Sequence, residues 1–181
     1  MRIDFQRMTQ LWGWYLVAAA IIFFDQITKS MVSDSLRYGE LIEILPFFDI
    51  TLLHNYGAAF SFLDQQGGQQ RWFLVAVSAL ASVVLIFWWL PSQNRKLSIL
   101  AMTFILGGAV GNLVDRAALG YVVDFIAVHY DQHRFPAFNI ADSAISIGAL
   151  FLFLEWFIFE PRAQRQQDTQ RQQDNVMKDS T

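Results

Sequence analysis

The chain has 181 residues, of which 54% are hydrophobic and only 16% are charged, whereas soluble globular domains carry about 25% charged residues. This deficit of charge, together with six Trp and seventeen Phe, indicates a membrane protein. A net charge of −3 without a long basic run argues against a nucleic-acid partner, and the lack of cysteine excludes disulfides, thiolate nucleophiles and cysteine metal ligands.

The first apolar segment predicts a transmembrane helix over about residues 11–28. A span needs about 20 residues at a rise of about 1.5 Å per residue, so this helix includes Asp25 near its far end. The alternative is a cleaved signal peptide, because Ala18-Ala19-Ala20 offers small residues of the kind found at cleavage sites. The membrane helix is favoured, since the apolar run continues past these alanines and three further apolar segments follow.

The next segment, about residues 40–62, is rich in β-forming residues and is divided by Pro46. It predicts short strands that lie on the membrane surface. Beyond it, hydropathy predicts three more spans. They cover about residues 72–90, 97–114 and 140–159.

These segments predict an all-α integral membrane protein with four transmembrane helices and a small extracytoplasmic β-sheet. Residues 1–160 are predicted to form a single membrane-embedded domain. Residues 161–181 are rich in Gln, Asp and Arg without apolar periodicity, which predicts a disordered cytoplasmic tail. Gly107 and Gly111 in the third span are predicted to pack closely against another helix.

Lysine and arginine residues predict the orientation of the chain. Four spans place both termini on one side, together with the turn at residues 91–96. That side carries more Lys and Arg for its length than the other side, so it is predicted to be cytoplasmic. The strand-rich segment, Asp124 and Asp142 are then predicted to lie at the outer face of the membrane.

Two carboxylates beside apolar sequence are the strongest candidate functional residues. Asp124 lies in the strand-like run 121–126, and Asp142 follows Asn139, a good N-cap residue, at the start of the fourth span. Each also has a structural interpretation, Asp124 as a surface acid on a strand and Asp142 as an acid favoured by a helix N-terminus. An ionised carboxylate beside hydrocarbon is costly, and two carboxylates brought to about 3 Å share one proton. Such a pair can activate water and protonate a carbonyl oxygen, which is peptide hydrolysis.

Charged residues near the ends of the third and first spans have alternative interpretations. Asp115 and Arg116 form either an interfacial ion pair that caps a helix, or a group in which Arg116 holds an anionic head group or a substrate carbonyl while Asp115 orients it. Asp25 and Lys29 are spaced i,i+4, which predicts a simple intrahelical ion pair.

Three asparagines lie next to span ends or turns, where each is either a cap or turn residue or an amide that holds a substrate backbone. They are Asn55, Asn112 and Asn139. His129 and His133 are placed in a polar loop without an obvious third ligand, so no metal site is predicted. Glu155, deep in the last span, is expected to snorkel or to form a pair.

The residues alone leave three classes of function open. One is a membrane peptidase that uses the aspartate pair. The second is a small proton-coupled transporter or channel in which Asp124 and Asp142 relay protons, although four spans are few for a transporter and no inverted repeat is visible in the sequence. The third is an assembly or scaffold protein whose outer segment is a docking surface.

Five motifs, taken together, resemble the bacterial lipoprotein signal peptidases, also called signal peptidase II or prolipoprotein signal peptidase. They occur in the family's order over about residues 10–160, and none departs from the family's pattern at the motif positions. They are Asp25-Gln26-x-x-Lys29, Asn55-x-Gly57-Ala58-Ala59-Phe60-Ser61, Gly111-Asn112-Leu113-x-Asp115-Arg116, Gly120-x-Val122-Val123-Asp124-Phe125 and Phe138-Asn139-x-Ala141-Asp142-x-x-Ile145.

The resemblance implies an aspartyl endopeptidase of the bacterial inner membrane, with no cofactor or metal. Its substrate would be a prolipoprotein, cut just before a cysteine that carries diacylglyceryl, in contact with membrane lipid and inhibited by the cyclic peptide globomycin. Asp124 and Asp142 would be the catalytic pair. The other residues implied are Asn55, Asn112, Arg116, Asn139 and Ala141 around the pair, with Asp25, Lys29, Gly57 and Asp115 supporting it.

Overall fold

The computed structural model describes residues 5–57, 69–92, 95–131 and 133–157. Within these ranges, four helices are long and apolar enough to cross a membrane, and a small antiparallel sheet accompanies them. The prediction of four apolar helices with a small sheet is therefore confirmed. The predicted strand residues 58–62 and the predicted tail lie outside the described residues.

Short helical segments accompany the four long helices of the described residues. A short helix, α1, precedes the first long helix, α2, and the second long helix, α3, continues through a π-helical turn into the short α4. The bounds are α1 Phe5–Gln10, α2 Trp12–Ser35, α3 Gln69–Val84, the π-helical turn Leu85–Trp89, α4 Leu90–Ser92, α5 Lys96–Ala118 and α6 Ile140–Phe157.

The first long helix extends well beyond the span predicted at residues 11–28, because α2 continues to Ser35. Lys29 lies inside this helix and is buried. Its charge is compensated by buried carboxylates, as described below, so the helix does not have to end where the apolar run ends. The fourth predicted span, 140–159, coincides with α6 as far as Phe157.

The central helix of the bundle is α5. In its most apolar stretch 56% of the residues are buried, compared with 17–22% in the other three long helices. Glycines allow this packing, because a Cβ atom on Gly107 would lie 2.8 Å from Cβ of Ile21, and one on Gly108 would overlap the carbonyl oxygen of Ala141. Close packing at these glycines agrees with the prediction from the sequence.

The sheet has four antiparallel strands in the order β1-β2-β3-β4. Their bounds are β1 Leu41–Leu45, β2 Phe48–Asn55, β3 Val122–Tyr130 and β4 His133–Arg134. The placement of His129 and His133 in a polar loop is wrong, because they pair with Arg134 and Tyr130 across the β3–β4 hairpin.

The register between β2 and β3 determines which polar residues meet. Leu53 lies opposite Asp124, and Asn55 lies opposite Val122. The end of β2 is therefore beside the start of β3, where Asp124 lies. Because β3 follows α5 after a short turn, the sheet is attached directly to the end of the central helix.

Candidate active site

Asp124 is a buried carboxylate on β3, with only 3% of the residue exposed. Nδ2 of Asn55 donates to its Oδ2 at 3.0 Å, and Nδ2 of Asn139 donates to its Oδ1 at 2.8 Å. Burial, and then the charge of Asp142, raise the pKa of Asp124 to about 6, against the opposing effects of the two amide hydrogen bonds and of Lys29. An acid with this pKa can hold or release a proton near neutral pH.

Asp142 occupies the first turn of α6, where Asn139 is the N-cap residue that the sequence predicts. The backbone N–H of Asp142 donates to Oδ1 of Asn139 at 2.9 Å, which is standard N-cap geometry. The carboxylate of Asp142 accepts a hydrogen bond from Nδ2 of Asn112 at 2.7 Å. Asn139 therefore fixes the backbone of Asp142, and Asn112 holds its carboxylate.

The two aspartates are connected through the amides of Asn112 and Asn139. Nδ2 of Asn139 lies 2.8 Å from Oδ1 of Asp124 and 3.4 Å from Oδ1 of Asn112, while Asn112 donates to Asp142. Asn139 also donates to the carbonyl of Val123 at 3.1 Å. The structure thus brings β3, α5 and α6 together at one group of polar side chains.

Gly57 supports the orientation of Asn55. Its φ of 90° is in the left-handed region that glycine adopts readily, and its N–H donates to Oδ1 of Asn55 at 2.8 Å. With its oxygen engaged in this way, Asn55 presents Nδ2 to Asp124. Ala141 lies in the same region, directly before Asp142, and is fully buried.

A second polar group, the ion cluster of Asp25, Lys29 and Asp115, adjoins the aspartate pair through Asn112. Nζ of Lys29 is 2.7 Å from Oδ2 of Asp25 and 3.0 Å from Oδ2 of Asp115, and it also donates to Oδ1 of Asn112 at 3.0 Å. All three charged side chains are almost completely buried. The predicted Asp25–Lys29 pair therefore exists, but it is part of a cluster that joins α2 to α5.

The ion cluster also holds backbone groups next to the aspartate pair. Oδ2 of Asp115 accepts from the N–H of Val123 at 3.1 Å, and Oδ1 of Asp25 accepts from the N–H of Ala141 at 2.8 Å. Val123 directly precedes Asp124, and Ala141 directly precedes Asp142. Each acid of the cluster therefore fixes the backbone beside one acid of the pair.

Gln26 is a member of the ion cluster that the sequence interpretation did not assign to the site. Its Nε2 lies 2.8 Å from Oδ1 of Asp115, 3.1 Å from the carbonyl of Gly111 and 3.2 Å from Oδ2 of Asp25. Two features of the sequence indicate this role. Gln26 lies inside the first motif, and a side-chain amide in an apolar helix is costly unless it has hydrogen-bond partners.

Arg116 is half-buried at the end of α5. An ion pair with Asp115 was one of two interpretations of this motif. Within the described part of the chain, Asp115 pairs instead with Lys29, and Nη1 of Arg116 is 3.5 Å from the carbonyl of Asn112. Nε of Arg116 is buried and has no hydrogen-bond partner among the described residues. Arg116 lies within electrostatic reach of Asp142 and Asp124, so its cation faces the aspartate pair.

The remaining candidate residues lie in other contacts. His129 is 3.3 Å from the buried carboxylate of Asp49, and among the described residues no three His, Asp or Glu side chains come together as metal ligands. Glu155 forms a pair, as expected, because it accepts a hydrogen bond from Ser98 and lies 3.8 Å from Arg95.

The fold and the site together define an integral membrane protein with an aspartate pair held where its helices meet a small sheet. The family model described as "Signal peptidase (SPase) II" matches residues 17–158. The chain therefore belongs to the signal peptidase II family, which confirms the resemblance seen in the sequence, and it is a peptidase.

Individual relatives agree with this assignment. The chain is 55% identical over 140 residues to the lipoprotein signal peptidase of Teredinibacter turnerae, covering 77% of this chain and 83% of that protein. It is 47% identical over 156 residues to the one of Acinetobacter baumannii, covering 86% and 89%. A solved structure described as a bacterial membrane enzyme, at 1.9 Å resolution, superposes with a TM-score of 0.72 at 29% identity, covering 81% of this chain and 94% of that one. These comparisons favour the peptidase over the transporter and scaffold interpretations.

Proposed function

We propose that this protein is an aspartyl endopeptidase that removes the signal peptide of diacylglyceryl-modified prolipoproteins by cutting just before the lipid-modified cysteine. The observation that carries the proposal is the connection of Asp124 to Asp142 through Asn112 and Asn139, which places two acids in one polar group. The names of the relatives, lipoprotein signal peptidases, supply the substrate class.

In the proposed reaction the pair of Asp124 and Asp142 carries one proton between its two carboxyl groups. The ionised carboxylate takes a proton from water as the water oxygen bonds to the scissile carbonyl carbon, and the protonated carboxyl gives its proton to the carbonyl oxygen. The tetrahedral intermediate then collapses: the C–N bond breaks as the carboxyl that took the water proton gives it to the leaving amine, and a hydroxyl of the intermediate returns a proton to the other carboxylate as the new carboxyl group forms. The pair titrates as a unit, so the proton belongs to both residues.

The electrostatics around Asp124 support this reaction. Because its pKa is raised to about 6, a larger fraction of the pair keeps one proton near neutral pH than would be the case for an ordinary aspartate. Asn55 and Asn139 keep the Asp124 carboxylate in one orientation through their amide hydrogen bonds. In the proposal, Arg116 contacts a substrate carbonyl or an anionic lipid head group, since its guanidinium has a buried Nε without a partner among the described residues.

The position of the pair suits a substrate that is itself anchored in the membrane. A signal peptide spans the bilayer as an apolar helix, so its cleavage site lies near the membrane edge. Asp142 is in the first turn of α6, and Asn112 and Arg116 are in the last two turns of α5. In the proposal these helix ends lie at the outer face of the bacterial inner membrane and both termini lie in the cytoplasm, an orientation that the distribution of Lys and Arg supports. Globomycin is expected to compete with the substrate for this site.

The test is gel-shift cleavage of a purified diacylglyceryl-modified prolipoprotein by the detergent-solubilised protein. We expect cleavage to persist in EDTA and to disappear in both Asp124→Asn and Asp142→Asn. The matched control is Asp34→Asn, which changes an exposed aspartate of α2 and should cleave at the wild-type rate. If either pair variant cleaves normally, these aspartates are not the catalytic pair; if EDTA stops the reaction, the metal-free mechanism is wrong.

A further inference from the structure

Arg71, near the start of α3, binds the end of α5. Its Nε donates to the carbonyl of Arg116 at 2.9 Å, and its Nη2 donates to the carbonyl of Ala117 at 2.6 Å. The guanidinium also lies over the ring of Trp72, 5.1 Å from the ring centroid. The last carbonyls of a helix have no partner within the helix and carry partial negative charge, so a forked cation is well suited to this position.

The carbonyls that Arg71 binds belong to the turn between α5 and β3. The same carbonyl of Arg116 accepts from the N–H of Gly120 at 3.2 Å, and Leu119 donates to the carbonyl of Asp115 at 2.7 Å. Gly120 has a φ of 90°, and a Cβ atom there would lie 3.2 Å from Nη1 of Arg71. The turn is therefore packed directly against the guanidinium.

This turn connects the two parts of the site that the backbone must hold in register. Arg116 lies at its start, and Asp124 lies on β3 shortly after its end. After the turn, the ion cluster holds the N–H of Val123, and Asn139 donates to the carbonyl of Val123. For residues 116–122, the described side-chain hydrogen bonds to the backbone come from Arg71.

We propose that Arg71 is a positioning residue of the active site, which holds the end of α5 so that Arg116 and the strand bearing Asp124 keep their relative geometry. Arg71 acts through the backbone and does not belong to the aspartate pair. The effect on catalysis rests on the proposed function, whereas the effect on the turn does not depend on any activity.

The first experiment measures the turn itself, by amide hydrogen exchange of the detergent-solubilised protein. We expect Arg71→Met to raise the exchange rates of the Leu119 and Gly120 amides by about tenfold, because both donate to the Arg116 carbonyl that Arg71 restrains. Arg71→Lys, which keeps one donor and the charge, should give a smaller increase. The matched control Arg37→Met changes an exposed arginine and should leave these rates as in the wild type. Unchanged exchange in Arg71→Met would overturn the proposal.

The second experiment asks whether the restraint acts on Arg116. We expect Arg71→Met to lower kcat by about tenfold with a smaller effect on KM, and Arg71→Lys to restore part of the loss. In an Arg116→Lys background the effect of Arg71→Met should shrink, because residues that act through one another are not additive. Equal losses in both backgrounds would show that Arg71 does not act through Arg116. If the wild type fails to cleave, the proposed function fails, and hydrogen exchange alone decides the role of Arg71.

Discussion

The aspartate pair and the ion cluster contain the same kind of acid in different surroundings. Asp124 and Asp142 are connected by neutral amides, and the burial of Asp124, reinforced by the charge of Asp142, raises its pKa to about 6. Asp25 and Asp115, which are as deeply buried as Asp124, share the cation of Lys29. A buried acid that contacts neutral amides can still exchange a proton. A buried lysine between two acids instead forms ion pairs that hold the helices together. The comparison predicts that the pair serves chemistry and the cluster serves structure.

The largest expected effect is on activity when the pair is altered. Asp124→Asn removes a titratable group and should lower kcat by about a thousandfold or more, since pair residues act as a unit. The midpoint of thermal unfolding should stay the same or rise, because a desolvated acid beside a second acid is removed. Cleavage assays and thermal unfolding on one preparation test this. A large fall in the unfolding midpoint would show that Asp124 stabilises the fold, as is proposed for the ion cluster.

The converse change is Lys29→Met in the ion cluster. It leaves two buried carboxylates without a cation, and breaking a buried pair in this way costs about 3–5 kcal/mol of stability. We expect a large fall in the unfolding midpoint, with Lys96→Met as the control because Lys96 is exposed. A Lys29→Met protein as stable as the control would show that the cluster is not the structural tie between α2 and α5.

A smaller effect is expected for Gln26→Leu, which keeps the volume of the side chain but removes its amide. Asp115 and the carbonyl of Gly111 each lose a hydrogen-bond donor. A buried acceptor without a donor lowers the free energy of unfolding by about 1–3 kcal/mol. Gln6→Leu, at an exposed position of α1, is the control. The loss should appear in chemical or thermal unfolding, and if the two variants are equally stable, Gln26 is not part of the cluster's support.

The smallest effect is a shift in pH dependence. Since the pKa of Asp124 is raised to about 6, the pair loses its shared proton as the pH rises through that value, and kcat/KM should fall on the alkaline side. Asn55 donates to the ionised form and so lowers the pKa of Asp124. Asn55→Ala should therefore move the alkaline limb of the pH profile to higher pH. A shift to lower pH, or no shift, would contradict this account of the pair's electrostatics.

Local patterns in the sequence predicted local features correctly. Hydropathy indicated the four helices, the spacing of Asn139 before Asp142 predicted an N-cap, and β-forming residues indicated strands in the 40–62 segment. Helix α2 was predicted too short, because a span ends in a hydropathy profile where charge begins. The structure instead buries the charge of Lys29 and continues the helix to Ser35.

Contacts between distant segments could not be read from local spacing. An i,i+4 pattern predicts the bond between Asp25 and Lys29 but contains no information about Asp115 on another helix. The same limit explains why an ion pair between Asp115 and Arg116 was considered although Asp115 pairs with Lys29, and why Gln26 was not assigned to the site. These partners are set by how α2 packs on α5, where Gly111 allows an approach so close that a Cβ atom there would lie 2.7 Å from Oδ2 of Asp25.

The bond from Ala141 to Asp25 has a consequence for biosynthesis. Ribosomes complete α2 first and α6 last among the four long helices of the described residues. The Asp25 carboxylate therefore cannot bond the N–H of Ala141 until most of the chain has been made. Asp142 arrives on the same helix as Ala141. A chain translated as far as α5 could already pack α2 on α5 but would lack Asp142, so under the proposed mechanism hydrolysis could begin only after α6 has inserted and packed.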